Sequence, residues 1–381
     1  MRICHLCLNG PYNEGWNYQE NILPKYHVKQ GHHVWQIVTP YIWEGTKQII
    51  STDKRYISNT GVEVIRCKAK KGLVGGNRLN RYPEVMGLLE EIQPEILFIH
   101  DVQCLDMMVV VKYLKKHPEC EVYVDNHSDF SNSAKNWLSK NILHKVLWKS
   151  MAQLINPYAK TFYGVLPARV DFLINLYKLP KEKCKLLVMG ADDELVTAAE
   201  DKEKCKQVRD KYHIAEDDFL IMTGGKIDLF KTQTLLLMEA VKNINNTKLK
   251  LIVFGSVAPE LKEKIEELSD GNLVQYVGWI EANDSYQMFA SSDLVVFPGR
   301  HSVFWEQVVG QGIPMVVKYW DGTTHVDCGG NTRFLYKDSE EEIRELIKEI
   351  AFTEKYSAMK TAAEDAKTRF RYNDIAKRSI E

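Results

Sequence analysis

The chain has 381 residues, 45% of them hydrophobic and 27% charged, with a formal net charge of −1 at pH 7. This length suits two domains of a soluble globular protein, and the near-neutral charge argues against nucleic acid as a partner. No apolar run approaches the roughly 18 to 20 residues of a membrane span and residues 1–8 are too short for a secretory signal, so we expect a cytoplasmic protein.

A first strand is predicted at residues 2–8, followed by a loop rich in glycine, asparagine and aromatic residues. Gly10 and Gly15 allow the backbone to come close to a ligand. Aromatic rings and amides suit the rings and hydroxyls of a sugar, so the loop is a candidate polyol site. Alternatively, Trp16 and Tyr18 anchor the first helix in the core.

Cysteines give little evidence for a metal or disulfide framework. Eight are present, and only Cys4 and Cys7 have C-x-x-C spacing. Both fall in the first predicted strand and no second pair follows, which argues against a zinc ribbon and a small disulfide scaffold. Several others lie in apolar runs, where we expect buried thiols.

Two further predicted strands, at 95–101 and 121–129, each end in histidine and aspartate. With Gly10 they supply three strand ends that are expected to converge. His127 is the stronger histidine candidate, because Asp125 and Asp129 flank it and a nearby carboxylate can fix its tautomer and pKa.

Glycine-rich segments do not match the known nucleotide loops. The basic segment 68–78 is expected to be a loop, and its Gly75-Gly76 pair lacks the spacing of a Walker phosphate loop. No Gly-x-Gly-x-x-Gly follows a predicted strand, which argues against a dinucleotide oxidoreductase.

A basic segment at 135–149 mixes lysine with tryptophan and aliphatic residues at helical intervals. Across 131–185 there are nine lysines and Arg169 against Asp171 and Glu182, a local excess of +8. This pattern fits a helix on an anionic membrane surface, at the inner face of the cell membrane. The alternative is a domain helix with a solvated lysine face.

The strand and helix rhythm restarts near residue 219, after a charged stretch that places the domain boundary at about 190–216. A strand, a Gly-Gly turn and a loop carrying Lys226 and Lys231 follow. Two lysines five residues apart after a parallel strand can reach both phosphates of a diphosphate and stabilise a leaving nucleoside diphosphate.

Residues 293–317 predict a buried strand, a Pro-Gly turn, a loop, a short helix from Phe304 and a second strand. Backbone N–H groups near Val303 and Phe304 would favour a diphosphate, and Glu306 suits vicinal hydroxyls of a ribose or hexose. An ordinary strand and helix junction is the alternative. Downstream, His325 and Asp327 have the types of metal ligands, but no third ligand stands at a telling spacing.

Taken together, these pieces resemble the GT-B glycosyltransferases, specifically the retaining, family-4-like branch, over nearly the whole chain. The segments that carry the resemblance are Gly10, His127, Gly190-Ala191-Asp192, Gly225-Lys226-x4-Lys231, Gly255, Pro298 through Glu306 to Gly312-x-Pro314, and the terminal 369–376. The resemblance implies an α/β fold with two Rossmann-like domains, whose parallel sheets face each other across a cleft. An acceptor domain is expected at 1–190, a donor domain at 191–365 and a helix crossing back at 366–381.

The resemblance also implies site residues. Catalytic roles fall on His127, Glu306 and Lys231. Acceptor binding is expected at Gly10, Tyr12, Trp16 and Asn17. Donor binding is expected at Gly225, Lys226, Lys231, Gly255, His301, Ser302, Val303, Phe304, Glu306 and Gln307. No metal or cofactor is expected, only a nucleotide-sugar donor with UDP or GDP.

Two departures from the family pattern affect these assignments. The first phosphate-loop residue is usually arginine, and Lys226 lacks its bidentate fork. The donor block normally carries two glutamates eight residues apart, whereas this loop is about three residues shorter. Gln307 stands where the second glutamate is expected and Glu306 one residue earlier, so either contacts the ribose, while His301 or Ser302 replaces the first glutamate.

The expected activity is retaining hexosyl transfer to a glycan or lipid-linked acceptor in polysaccharide biosynthesis. Two alternatives remain. A non-hydrolysing nucleotide-sugar 2-epimerase has a similar fold but needs no acceptor site. A non-catalytic glycan-binding protein would need no nucleotide.

Overall fold

The computed structural model describes residues 1–71 and 79–381. These residues divide into two compact units: unit 1 comprises Met1–Val188 with Ile375–Glu381, and unit 2 comprises Met189–Asp374. Most of the loop expected at 68–78, including Gly75-Gly76, lies outside the described residues.

Unit 1 contains ten strands and five α-helices among its described residues. The strands are β1 (Arg2–Cys7), β2 (His33–Val38), β3 (Tyr41–Glu44), β4 (Lys47–Ile50), β5 (Arg55–Ile57), β6 (Glu63–Arg66), β7 (Ile96–His100), β8 (Glu121–Asn126), β9 (Ala159–Gly164) and β10 (Cys184–Leu186). The helices are α1 (Gln19–Lys29), α2 (Val85–Ile92), α3 (Met107–Leu114), α4 (Lys149–Ile155) and α5 (Pro167–Asn175), with a π-helix at Ser139–Trp148 and a 3₁₀ turn at Lys181–Lys183.

Eight strands of unit 1 form one sheet in the order β10-β9-β8-β7-β1-β2-β6-β5. All neighbours in this sheet are parallel except β5 with β6, and β3 and β4 form a separate antiparallel hairpin. The apolar central strands are buried on both faces, as a covered parallel sheet requires. Since β1, β7 and β8 are neighbours, the three predicted strand ends do meet at one edge.

Unit 2 has a six-stranded, fully parallel sheet among its described residues, in the order β13-β12-β11-β14-β15-β16. Its strands are β11 (Phe219–Gly224), β12 (Leu249–Phe254), β13 (Val274–Tyr276), β14 (Leu294–Phe297), β15 (Met315–Lys318) and β16 (Thr332–Leu335). Its helices are α6 (Asp193–Ala199), α7 (Lys202–Lys211), α8 (Gln233–Ile244), α9 (Lys262–Leu268), α10 (Asp284–Ala290), α11 (Phe304–Gly310), α12 (Glu340–Ile350), α13 (Glu354–Ala366) and α14 (Tyr372–Arg378). Short 3₁₀ turns lie at Pro259–Leu261, Thr324–Val326 and Lys367–Phe370.

The last helix, α14, begins in unit 2 and ends in unit 1. Its start is fixed by a parallel bridge between Ala191 and Arg371. The charged stretch before β11, where the sequence places the domain boundary, is helical, as α6 and α7, and the two units divide between Val188 and Met189. The α/β class with two parallel-sheet units is therefore confirmed.

The basic segment 135–149 differs from the amphipathic α-helix that its pattern suggests. Most of it is a π-helix, which continues into α4. Trp148 is buried in the core of unit 1, whereas Trp137 is 71% exposed. The two tryptophans therefore have different roles: Trp148 stabilises the unit and Trp137 faces solvent.

Cysteine burial follows the expectation from the apolar runs. All eight cysteines are free thiols, and six are buried, including Cys4 and Cys7 in β1. Across residues 1–71 and 79–381, none of the helices has the length and hydrophobicity required to cross a membrane.

Candidate functional site

His127 lies just after β8, beside a buried carboxylate. Its Nε2 atom is 3.3 Å from Asp125 Oδ2, and its side chain is 31% exposed. His100, at the end of β7, donates from Nδ1 to the same oxygen at 2.8 Å. Burial alone would raise the pKa of Asp125, but His100 and His127 hold it well below its usual range, so Asp125 remains a carboxylate.

The other predicted carboxylate partner of His127 lies elsewhere. Asp129 forms an ion pair with Arg169 at 3.2 Å and also accepts hydrogen bonds in its own turn. Burial disfavours the charged form of His127, but Asp125 offsets this and raises its pKa. Asp125 is thus the carboxylate that lies beside His127 and raises its pKa.

Two further histidines of unit 1, which the sequence analysis missed, continue this cluster from His100. His5, in the middle of β1, contacts His100, and His27, on α1, contacts His5, each through a nitrogen to nitrogen distance of 3.0 Å. Both are fully buried. The only available signal was a histidine at an inward-facing position of an apolar strand, which does not specify a partner.

The loop after β1 combines open and buried positions. A Cβ at Gly10 would meet no atom within 4 Å, so the backbone there is accessible from that side. Trp16 is 36% exposed and packs edge-on against Tyr18, which contradicts the alternative that both are core anchors. Tyr12, in contrast, is buried, and Arg66 lies over its ring. Tyr12 is therefore packed within unit 1, and the acceptor contacts of Tyr12, Trp16 and Asn17 stay predictions.

In unit 2, glycine is required where β11 and β12 end. Gly225 and Gly255 have φ values of 120° and 123°, in the region that favours glycine. A Cβ on Gly255 would lie 1.9 Å from the carbonyl oxygen of Gly225. The two strand ends approach so closely that a side chain at Gly255 would obstruct the loop that carries Lys226 and Lys231.

This loop opens onto a pocket with three cationic side chains. Lys226, Lys231 and Arg300 line it together with Gly224, Gly299 and Ser302. Burial lowers the pKa of Lys231, and the like charges of Lys226 and Arg300 lower it further, while Asp228 partly offsets the effect. Such a cluster of like charges is stabilised when an anion binds. Arg300 supplies the planar fork that Lys226 lacks.

Glu306, on the first turn of α11, is fully buried between two histidines. Its Oε1 atom accepts hydrogen bonds from His301 Nε2 at 2.8 Å and His325 Nε2 at 2.9 Å. Burial would raise the pKa of Glu306, but the two histidines lower it to about 2. Oε2 is also buried and has no hydrogen-bond partner in the described part of the chain. Glu306 therefore has one free acceptor.

His325 was the missing partner in the sequence prediction. It follows β15 in a 3₁₀ turn, 19 residues from Glu306, so no short-range spacing connects them. The adjacent Asp327 instead accepts a hydrogen bond from the backbone of Gly330. Sequence spacing gives no third ligand for His325, but folding brings it to Glu306 and His301.

The remaining donor-block residues have mixed roles. Gln307 is buried and donates to Ser285 Oγ at 3.0 Å. Ser302 Oγ accepts from the backbone N–H of Phe304, and the ring of Phe304 packs against Phe289. Val303 is 41% exposed at the start of α11. Of the two candidate ribose ligands, Glu306 has a free acceptor oxygen, whereas the Gln307 amide bonds inward.

Two groups in the described residues have ligand atoms within 4.8 Å of one another, close enough to hold a metal ion. The Asp125 group is His100, Asp125 and His127, and the Glu306 group is His301, Glu306 and His325. In the Asp125 group both nitrogens of His100 already form hydrogen bonds, so we interpret it as a hydrogen-bonded cluster. In the Glu306 group Oε1 accepts a hydrogen bond from each histidine, and a metal ion would have to replace both hydrogen bonds.

Comparisons with known proteins place these observations in a family context. Residues 218–351 match the family described as "Glycosyl transferases group 1". A glycosyltransferase from Rickettsia africae ESF-5 has a TM-score of 0.71 and 13% identity, covering 99% of this chain and 96% of that chain. HepE from Anabaena, solved with UDP, has a TM-score of 0.67 and 16% identity, covering 99% and 98%. A putative UDP-N-acetylglucosamine 2-epimerase from Listeria monocytogenes has a TM-score of 0.62 and 11% identity, covering 99% and 94%.

The sequence matches no protein with a curated description. At these identities the structural likenesses establish the fold, which is GT-B. The family match starts one residue before β11 and ends one residue after α12, so it contains the cationic pocket and Glu306. Unit 2 therefore carries a group 1 glycosyl transferase domain at residues 218–351, within a chain of GT-B fold.

Proposed function

We propose that the protein transfers a hexosyl group from a nucleoside diphosphate sugar, with retention at the anomeric carbon, to a glycan or lipid-linked saccharide. The observation that carries this proposal is the pocket of Lys226, Lys231 and Arg300 at the glycine-rich ends of β11 and β12. These three cations neutralise a diphosphate and stabilise the charge it develops as the leaving group.

Glu306 supplies the second part of the donor site. Its free Oε2 accepts a hydrogen bond from a ribose or hexose hydroxyl, while His301 and His325 keep the carboxylate ionised and fixed. A buried acceptor without a partner is costly, and a ligand hydroxyl removes that cost. The same oxygen would repel a phosphate, so we assign Glu306 to a hydroxyl and the lysines to the diphosphate.

The nucleoside of the donor is proposed to be uridine. HepE, a solved structure of the same fold, binds UDP and UDP-glucose. His127 is proposed to contact the transferred sugar, with Trp16 and Asn17 on the acceptor. We assign no general base, because in a retaining transfer the departing phosphate can take the acceptor proton.

A nucleotide-sugar 2-epimerase is the second candidate, since a putative enzyme of that type shares the fold. The two activities separate by their need for an acceptor. An epimerase interconverts UDP-sugars that differ at C2 in the absence of any other substrate, whereas a transferase leaves C2 unchanged and releases UDP only when an acceptor is present.

The first test is a thermal-shift panel of UDP, GDP, ADP, CDP and their common sugar conjugates, without metal and then with Mg²⁺ or Mn²⁺. A ligand at 100 times its dissociation constant adds about 2.7 kcal/mol and moves the midpoint by several degrees. We expect UDP and one UDP-sugar to stabilise the protein without metal. A validated assay in which no nucleotide does so would contradict the proposal and favour a glycan-binding protein.

We also propose that unit 1 binds an anionic membrane through the segment 135–149, which would bring it to a lipid-linked acceptor. Trp137, Leu138, Ile142 and Val146 are between 46% and 71% exposed, and four lysines lie among them. Exposed apolar side chains interspersed with cations suit the interface of an anionic bilayer.

Vesicle flotation tests this membrane proposal. The protein should float with vesicles containing phosphatidylglycerol and not with phosphatidylcholine alone, and Trp137→Ala should reduce the bound fraction. Trp279→Ala in unit 2 is the matched control, because Trp279 is 64% exposed. Equal binding by both variants, or no binding to anionic vesicles, would contradict the membrane role.

A further inference from the structure

Three imidazoles in unit 1 form a continuous buried series. His27 Nδ1 lies 3.0 Å from His5 Nε2, and His5 Nδ1 lies 3.0 Å from His100 Nε2. The exposed fractions of these side chains are 0%, 0% and 4%. Every ring nitrogen of this histidine triad therefore needs a partner within the protein.

The triad ends at an acceptor on both sides. At one end His100 Nδ1 faces Asp125 Oδ2 at 2.8 Å. At the other end His27 Nε2 faces the carbonyl oxygen of Ala376, on α14, at 3.1 Å. In a continuing α-helix the N–H of Ile380 would donate to this carbonyl. It donates instead to the carbonyl oxygen of Lys377. The Ala376 carbonyl depends on His27 and on the hydroxyl of Ser379, which donates to it at 2.8 Å.

Counting protons shows what this arrangement requires. Each terminal acceptor needs an N–H from the triad, and each of the two nitrogen to nitrogen contacts needs one N–H and one lone pair. The sum is four protons, whereas three neutral imidazoles carry three. All hydrogen bonds are satisfied together only if the triad holds one extra proton.

We propose that the histidine triad holds this extra proton on His100, as a buried imidazolium that pairs with Asp125 and so acts as a positioning device for His127. The pair balances the charge of Asp125 from the interior, and the carboxylate keeps its orientation toward His127. Its role in the reaction rests on the proposed function of His127, but the proton count does not.

The charges around the triad agree with this placement. Burial lowers the pKa of His5 and lowers that of His27 to about 3, so these two rings stay neutral and the extra proton lies on His100, beside Asp125. Besides Cys7, which interacts with Asp125, four titratable groups act on the triad, Asp125 or His127: His32, Asp101, Glu20 and Arg169. None of these four forms a hydrogen bond with a triad nitrogen in the described residues.

One competing arrangement has three protons. The hydroxyl of Ser379 lies 3.1 Å from His27 Nε2 and, if rotated, would donate to it. All three N–H groups would then point toward Asp125, and the Ala376 carbonyl would lose both its donors. Loss of these bonds to a buried carbonyl is costly, which favours the four-proton arrangement.

The deciding experiment is ¹⁵N NMR of the full chain with labelled histidine at pH 7.5, where protonated and bare ring nitrogens have distinct shifts. We expect four protonated and two bare nitrogens in the triad. Ser379→Ala is the matched variant: it removes the competing donor and leaves His27 as the side-chain donor to the Ala376 carbonyl, so the count should not change. Three bare nitrogens in the wild type, or a changed count in Ser379→Ala, would overturn the proposal.

His27→Phe tests the coupling to His127. It removes the ring that donates to the Ala376 carbonyl, so only two N–H groups are needed and His5 and His100 should both be neutral. Asp125 then lacks its imidazolium, and the pKa of His127 in an NMR titration should rise relative to wild type. An unchanged His127 titration in the folded variant would reject the positioning role. If His27→Phe does not fold, the wild-type and Ser379→Ala spectra still decide the proton count. The transferase assay fails or succeeds independently of these spectra.

Discussion

Asp125 in unit 1 and Glu306 in unit 2 are both fully buried carboxylates that contact two histidines with one oxygen, yet their second oxygens differ. Oδ1 of Asp125 accepts a hydrogen bond from the backbone of Asp101 at 3.1 Å, whereas Oε2 of Glu306 has no partner in the described residues. Both oxygens of Asp125 have polar contacts within unit 1. Glu306 keeps one acceptor for a ligand.

This difference shows how one local motif serves two purposes. A carboxylate that is fully satisfied within the fold orients its neighbours and cannot also bind substrate strongly. A carboxylate with one oxygen free is held ionised by its histidines and remains available. We therefore assign Asp125 to positioning and Glu306 to donor binding, and the following predictions test that contrast.

Glu306→Gln should cause the largest loss of activity. The amide keeps the shape of the side chain. It removes the negative charge that His301 and His325 face, and it replaces one acceptor oxygen by an NH₂ group. We expect kcat/KM to fall about 100- to 1000-fold, the range seen when a single preorganised polar contact is removed. Initial rates with the donor identified by thermal shift measure it. A variant with near wild-type rates would remove Glu306 from the donor site.

Asp125→Asn should affect stability more than donor binding. It removes one partner of a buried ion pair, and such a change costs about 3 to 5 kcal/mol. Urea unfolding should show the loss, whereas the dissociation constant for UDP should stay close to wild type. If Asp125→Asn weakened UDP binding as much as Glu306→Gln, the proposed division of roles would be wrong.

Sequence patterns were sufficient for the fold because they are local. Apolar runs such as β11 and β12, each ending in glycine, identify parallel strands, and the Gly-x-Pro stop after α11 identifies the donor block. The pair Lys226 and Lys231 was predicted for the same reason, since five residues of one loop fix their separation. These features do not depend on distant parts of the chain.

The parts that sequence did not predict depend on contacts between distant segments. His325 reaches Glu306 from the far side of β15, and His27 reaches α14 across about 350 residues. The burial of Tyr12 and Trp148 likewise depends on which face of the chain meets the core. No spacing rule encodes these contacts, because parallel-sheet topology decides which strand ends become neighbours.

Lys231→Ala should weaken nucleotide binding moderately. Lys231 lies within the pocket near Arg300, whereas Lys226 is 70% exposed and pairs with Asp228 at 3.3 Å. We expect the dissociation constant for UDP to rise about tenfold for Lys231→Ala, or roughly 1.4 kcal/mol. Lys226→Ala should have a smaller effect. Calorimetry on both variants checks this order, and a reversed order would assign the diphosphate to the outer lysine.

The smallest expected effect is the pH dependence of UDP binding. In the free protein burial and like charges lower the pKa of Lys231, and a bound diphosphate favours its protonated form, so binding takes up protons once the free lysine begins to deprotonate. Affinity should therefore fall as pH rises through that lowered pKa, by at most about tenfold per pH unit. Lys231→Arg should flatten this dependence, because arginine stays charged. An equal slope in both proteins would mean that a group other than Lys231 titrates on UDP binding, and the pH dependence could not come from the lowered pKa of Lys231.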